Sequence, residues 1–236
     1  GVLLGNGDGT FQDNVLYDVG INPRGVTIAH DLNGDGFRDL ASANKWNMPD
    51  LGSVTVRLNN GDGTFAAGTD YWSGSDTLYV IFEDIDGDEI LDMTSCNLES
   101  YDITIRPGVG DGTFGAATFV SLHNGVANGW PSRHYFEDLD DDGDRDMIAA
   151  GMQGEGMILC EANGDGTFQQ AVFHPIGAFP EQSRFIVTAD VDNDGDPDVL
   201  MPSDGLHSNG PARMSILLNE GNLNFAPEDA YAAGNR

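Results

Sequence analysis

The segment Asp31-Leu32-Asn33-Gly34-Asp35-Gly36-Phe37-Arg38-Asp39 places side-chain oxygens at its first, third, fifth and ninth positions and glycine at its sixth. The layout returns at Asp84, Asp86, Asp88 and Asp92, at Asp138, Asp140, Asp142 and Asp146, and at Asp190, Asp192, Asp194 and Asp198, in steps of 53, 54 and 52 residues. One such loop reads as a polar turn, because Asp, Asn and Gly dominate turns. Four in register are a repeat. A period of this length restricts the chain to solenoids, propellers and related arrays.

The spacing suits a hard cation. Calcium takes six to eight oxygen ligands, and a short loop wraps them around one ion. Positions one, three and five supply carboxylate or amide oxygen, and position nine closes the shell. Position seven (Phe37, Ile90, Asp144, Asp196) offers a backbone carbonyl. An EF-hand closes instead with glutamate at position twelve. Here position twelve holds Ser42, Ser95, Ala149 and Met201, so these loops are of another kind. Glycine at position six permits the positive φ of a sharp turn, as at Gly36, Gly143 and Gly195. Glu89 replaces it in the second loop, which predicts strain or weaker binding there. Asn33 removes one charge from the first loop, so the third and fourth sites rank strongest. Fifteen aspartates at the first, third, fifth and ninth positions of four short loops repel one another without a cation, and about four calcium ions are expected.

The net charge of −29 repels DNA, RNA and anionic lipid, which excludes nucleic acid as a partner. Four calcium ions would leave it at about −21. Hydrophobic residues make up 39%, enough for a folded core, so the acidity does not signal disorder. No run approaches the eighteen or so apolar residues of a membrane-spanning helix. The chain starts inside a repeat unit at Gly1, as expected of a part of something longer. Two cysteines, Cys96 and Cys160, exclude a disulfide scaffold. Their non-equivalent positions in different repeats favour two buried thiols over one bridge.

A second marker recurs between the acidic loops: Asn6 to Phe11, Asn60 to Phe65, Gly110 to Phe114, Asn163 to Phe168, and a worn copy from Asn219 to Phe225. Asn-Gly and Asp-Gly between apolar runs signal tight hairpin turns. Apolar runs flank each acidic loop, as in Leu78 to Phe82 and Met93 to Cys96. Beyond them Val54, Val56 and Leu58 alternate with Thr55 and Arg57, the period of a half-buried strand. A looser fourth strand follows each Thr-Phe, as in Phe114 to Ser121 and Phe168 to His174, and no helix is predicted. Each repeat is thus four antiparallel strands, the content of one propeller blade. The expected fold is an all-β propeller with an N-terminal half blade at 1–20 and four blades at about 21–73, 74–122, 123–177 and 178–236. With five Gly-Asp-type turns for four acidic hairpins, this count predicts further blades or an open arc covered by another chain, hence self-association.

The Asp-x-Asp-x-Asp-Gly-x-x-Asp loops, combined with Asn-Gly-Asp-Gly-Thr-Phe turns, resemble the FG-GAP/VCBS repeats over nearly the whole chain. That resemblance implies a β-propeller with calcium in the first hairpin of each blade, as in integrin α-subunit heads and in secreted bacterial and fungal proteins. The family includes adhesins, lectins and some polysaccharide lyases, so the resemblance leaves activity open.

In an up-and-down blade the acidic loops and Gly-Asp turns share one end. Trp46, Trp72 and Trp130 fall at the other, with Arg24, Arg133 and Arg184 just ahead of first strands and His134 beside Arg133. This cluster suits stacking on sugar rings and pairing with carboxylates. It also suits a lyase that neutralises a uronic acid and abstracts a proton. A structural role, tryptophans plugging gaps between blades and arginines bridging aspartates, fits as well. The expectation is a non-catalytic, extracellular, calcium-binding module for adhesion or for a glycan or protein ligand. A polysaccharide-active enzyme and a subunit of an extracellular assembly are the alternatives.

Overall fold

A computed structural model describes residues 1–28, 30–45, 51–123, 131–151, 156–176, 185–203, 213–227 and 229–232. Trp46, Trp130 and Arg184 lie outside these described residues. Sixteen strands form four separate four-stranded sheets, and no helix occurs among the described residues. The first sheet holds β1 (Pro23–Ile28), β2 (Leu40–Asn44), β3 (Ser53–Arg57) and β4 (Thr69–Trp72). The second holds β5 (Thr77–Glu83), β6 (Asp92–Asn97), β7 (Asp102–Arg106) and β8 (Thr118–Ser121). The third holds β9 (Pro131–Glu137), β10 (Asp146–Gly151), β11 (Gly156–Cys160) and β12 (Val172–Pro175). The fourth holds β13 (Val187–Ala189), β14 (Asp198–Ser203), β15 (Arg213–Leu217) and β16 (Asp229–Ala232). Every sheet is an antiparallel meander in chain order, the blade of a propeller.

Three apolar cores lie between successive sheets. Ala41, Val54 and Val56 meet Val80, Phe82 and Met93 between the first and second. Cys96, Ile103 and Ile105 meet Phe136, Met147 and Ile158 between the second and third. Ile148, Met157 and Leu159 meet Ile186, Val199 and Met201 between the third and fourth. A blade packed on both faces reads as continuously buried, and β6 and β11 are buried at every residue. The outer strands β4, β8 and β16 are mostly exposed, and β12 is half exposed.

Alternation in β3 predicts one polar face open to water, but Thr55 is buried. Its Oγ1 accepts from Asn44 Nδ2 at 2.9 Å and from the Gly20 N–H at 3.1 Å, and donates to Asp70 at 2.5 Å. The cover is the N-terminal segment, held by isolated bridges Val2–Val15 and Gly5–Phe11 rather than by continuous strands. The Arg57 guanidinium donates to Asp18 O, and Tyr17 meets Phe65 edge-on at 5.4 Å. Among the described residues no apolar core joins the fourth sheet to the first. Cys96 and Cys160 are free and buried. Burial pushes the Cys96 thiol up and that of Cys160 up to about 12.

Candidate metal centre and axial cavity

Each acidic loop joins the first and second strands of a sheet and is folded by its own side chains. The Asp31 carboxylate accepts the N–H groups of Asp35 and Gly36, and Asp84 those of Gly87 and Glu89. Asp138 accepts those of Asp142 and Gly143, and Asp190 those of Asn193 and Gly195. Fifth-position Asp35, Asp88, Asp142 and Asp194 each accept the N–H of the seventh residue at 2.8–3.0 Å. These Asx turns bend the backbone around the carboxylates. Position six is left-handed in all four loops, including Glu89 at φ 67°. Position four is left-handed too, in Gly34, Gly87, Asp141 and Asn193, a demand the motif does not announce.

The ninth aspartate has a role invisible in the sequence. Asp39, Asp92, Asp146 and Asp198 are at most 2% exposed. One carboxylate oxygen of each accepts an N–H from the second residue of its own loop: Leu32, Ile85, Leu139 or Val191. The other accepts an N–H beside the Gly-Asp turn of the same sheet: Asn59, Gly108, Ala162 or Asn219. The residue clasps loop to turn before any ion is considered. Position seven adds a second lock. The Phe37 ring and the Asp144 side chain fill the space that a Cβ on Gly61 or Gly164 would need, and the Ile90 and Asp196 side chains lie within contact distance of one on Gly110 or Gly221.

Among the described residues, three acidic triplets bring ligand oxygens within 4.8 Å of one another: Asp84, Asp86 and Asp92; Asp138, Asp140 and Asp142; Asp190, Asp192 and Asp194. Burial, then the neighbouring Asp142 and Asp138, raises the Asp140 carboxyl above the usual range, and Asp140 Oδ1 is buried without a hydrogen-bond partner. Burial pushes Asp146 up to about 6, with Asp140 and Asp142 adding to it. Orphaned, mutually repelling hard oxygens fit a divalent cation. In the first loop Asn33 Nδ2 donates to Asp35 at 2.9 Å, so two of its groups satisfy each other.

The end of the sheets away from these loops carries the other named residues. Trp72 is half exposed at the end of β4, and its carbonyl accepts from Arg106 at 2.8 Å. Arg24 is exposed in β1, at a break in the β1–β2 register. Arg133 is half buried, its guanidinium carbon 4.4 Å from the Tyr79 ring centroid and 4.4 Å from that of Phe185. His134 is not a surface group: it is 3% exposed, with Nε2 at 2.7 Å from Thr94 Oγ1. Burial takes its pKa down to about 3, and Nδ1 has no partner. That environment makes it a poor proton acceptor for a lyase.

First strands from the second, third and fourth sheets, with His30 after β1, line a cavity of about 320 Å³. Tyr79, Arg133, His134, Tyr135 and Phe185 form part of its wall, so the cavity runs along the axis on which the sheets converge. Neither Tyr79 nor Phe185 stands out in the sequence, because each gains its meaning from a residue about fifty positions away.

The pattern that defines FG-GAP-like repeats matches residues 31–95 and 138–201. No curated protein sequence matches the chain. Among solved structures, the chain is similar to a lectin from Agrocybe aegerita that specifically recognises non-reducing terminal N-acetylglucosamine. The TM-score is 0.51 at 19% identity, covering 97% of this chain and 73% of the lectin. The Tc holotoxin pore of Photorhabdus luminescens aligns at a TM-score of 0.35 and 18% identity, over 89% of this chain and 11% of the pore chain, too little shared geometry to inform the fold.

Proposed function

The chain belongs to the FG-GAP-like repeat family, and from that premise we propose that it is a calcium-stabilised, non-catalytic binding module that works outside the cell and takes a glycan as ligand. The observation that carries the reading is the loop geometry: hard oxygens gathered in triplets, one of them buried without a partner, in loops already clasped to the turns. Asp84, Asp86 and Asp92, Asp138, Asp140 and Asp142, and Asp190, Asp192 and Asp194 would hold the ions, with Asp31, Asn33 and Asp35 as the weakest set. A bound cation supplies charge neutralisation there, and its binding free energy becomes folding free energy. Weak calcium sites of this kind fill in a calcium-rich extracellular medium. The propeller shared with a lectin supports a sugar as the ligand.

Thermal melting in calcium and in chelator tests the metal. A site at 100 times its Kd contributes about 2.7 kcal/mol. For a chain of this size each kcal/mol moves Tm by about 2–4 °C. Loss of one filled site therefore lowers Tm by about 5–11 °C, and an unchanged melt in excess chelator refutes calcium stabilisation. A glycan panel tests the ligand.

A second reading, self-association or pairing with further blades, is favoured by apolar exposure on the N-terminal segment and on the last strand. Leu16 and Phe11 are 78% and 65% exposed on the N-terminal segment, and Tyr231 is 56% exposed on β16. Sedimentation in calcium buffer tests it, and a monomer at every concentration counts against it.

A further inference from the structure

Among the described residues, no anion pairs with the guanidinium of Arg133 in the axial cavity. The chain carries 39 acidic and 10 basic residues, so a carboxylate is seldom far from a guanidinium. Yet among the described residues no carboxylate or carbonyl accepts a hydrogen bond from the Arg133 guanidinium; its contacts are the Tyr79 and Phe185 rings at 4.4 Å each. The acid in the cavity wall is engaged elsewhere: Glu83 pairs with Arg145. Two rings from different sheets hold the guanidinium, and its N–H fork has the geometry that matches a carboxylate in bidentate fashion. His134 Nδ1, buried in the same wall, is a second polar atom without a partner.

We propose that the axial cavity binds a carboxylate-bearing sugar, with the carboxylate on the Arg133 fork and the ring against the aromatic wall. The inference rests on the glycan-binding reading and deepens it. A single guanidinium matches a single negative charge, and a dianion would meet more repulsion from this acidic chain. That repulsion is screened beyond about 8 Å at physiological salt, whereas the fork acts in contact. Tyr79, Tyr135 and Phe185 offer amphipathic and apolar rings to a sugar body. The volume of about 320 Å³ stands at the lower end of the ~300–1,000 Å³ of small-ligand sites.

D-glucuronic acid, D-glucose and acetate, each titrated into the whole chain in calcium buffer by calorimetry, test this. Glucuronate should bind at least tenfold more tightly than either comparator. Arg133→Gln should lose at least tenfold of that affinity. Because Arg133 also bridges two sheets, Arg133→Lys is run beside it. Lysine keeps the charge without the flat fork, and should weaken glucuronate several-fold even where the melting temperature is unchanged. Equal binding of glucose overturns the role of the carboxylate, and equal binding of acetate overturns the sugar. Unchanged affinity in both variants overturns Arg133 as the receptor. Neutral glycans binding while glucuronate does not sinks this inference alone. Silence from every sugar sinks the glycan reading with it.

Discussion

Acidification should destabilise this protein through one buried imidazole. In the folded chain burial holds the His134 pKa down from 6.5 to about 3. Below pH 6.5 the unfolded chain takes up a proton at His134 that the folded chain refuses, so stability is fully present above pH 6.5 and falls as pH drops toward 3. Within that window each pH unit costs about 1.4 kcal/mol. Passing from pH 6.5 to 5.0 therefore costs about 2 kcal/mol, or about 4–8 °C in Tm for a chain of this length. The carboxylates also titrate in this range, so the useful quantity is a difference. His134→Gln should be less stable at pH 7, because it loses the edge-on contact with Phe136, but it has no imidazole to protonate. Urea denaturation of both proteins in chelator, from pH 7 to 5, should show the gap between them closing by about 2 kcal/mol. A gap that stays constant over the range would refute the reasoning.

Asp146→Ala strands the buried N–H groups of Leu139 and Ala162. At about 1–3 kcal/mol for each unsatisfied group, it should lower stability by about 2–6 kcal/mol even in chelator, read by urea denaturation; a loss confined to calcium buffer would contradict the clasp. Glu89→Gly relieves a left-handed glutamate at φ 67°. The strain is worth about 1–2 kcal/mol and the added backbone freedom of glycine about 0.5–1 kcal/mol, so the variant should melt up to about 6 °C higher.

The repeat, the strands around it and the acidic loops were legible because their determinants are local. Asp31 folds its loop through residues four and five positions on, and the sequence displays that spacing directly. The clasp of Asp39 was not legible, since its second partner, Asn59, lies twenty residues away beside another turn. Thr55 and Arg57 read as a solvent face because nothing in the alternation tells that the N-terminal segment will cover them. Arg133 could be placed at the right end of the molecule from strand order alone. Its two aromatic partners required three sheets to meet at one axis.

Connections between the third and fourth strands are eleven residues long in every sheet, at 58–68, 107–117, 161–171 and 218–228. At the opposite end, those between the second and third strands vary: 45–52, 98–101, 152–155 and 204–212. Leu4, Leu58 and Asp86 stand close over Gly63, Gly112 and Gly166 of the following turn, with no room for a Cβ on Gly63 or Gly112, so an inserted residue on that rim would disturb a neighbour as well as its own hairpin. Drift in length, and with it new recognition surfaces, is thereby channelled to one side of the disc while the other is kept in step.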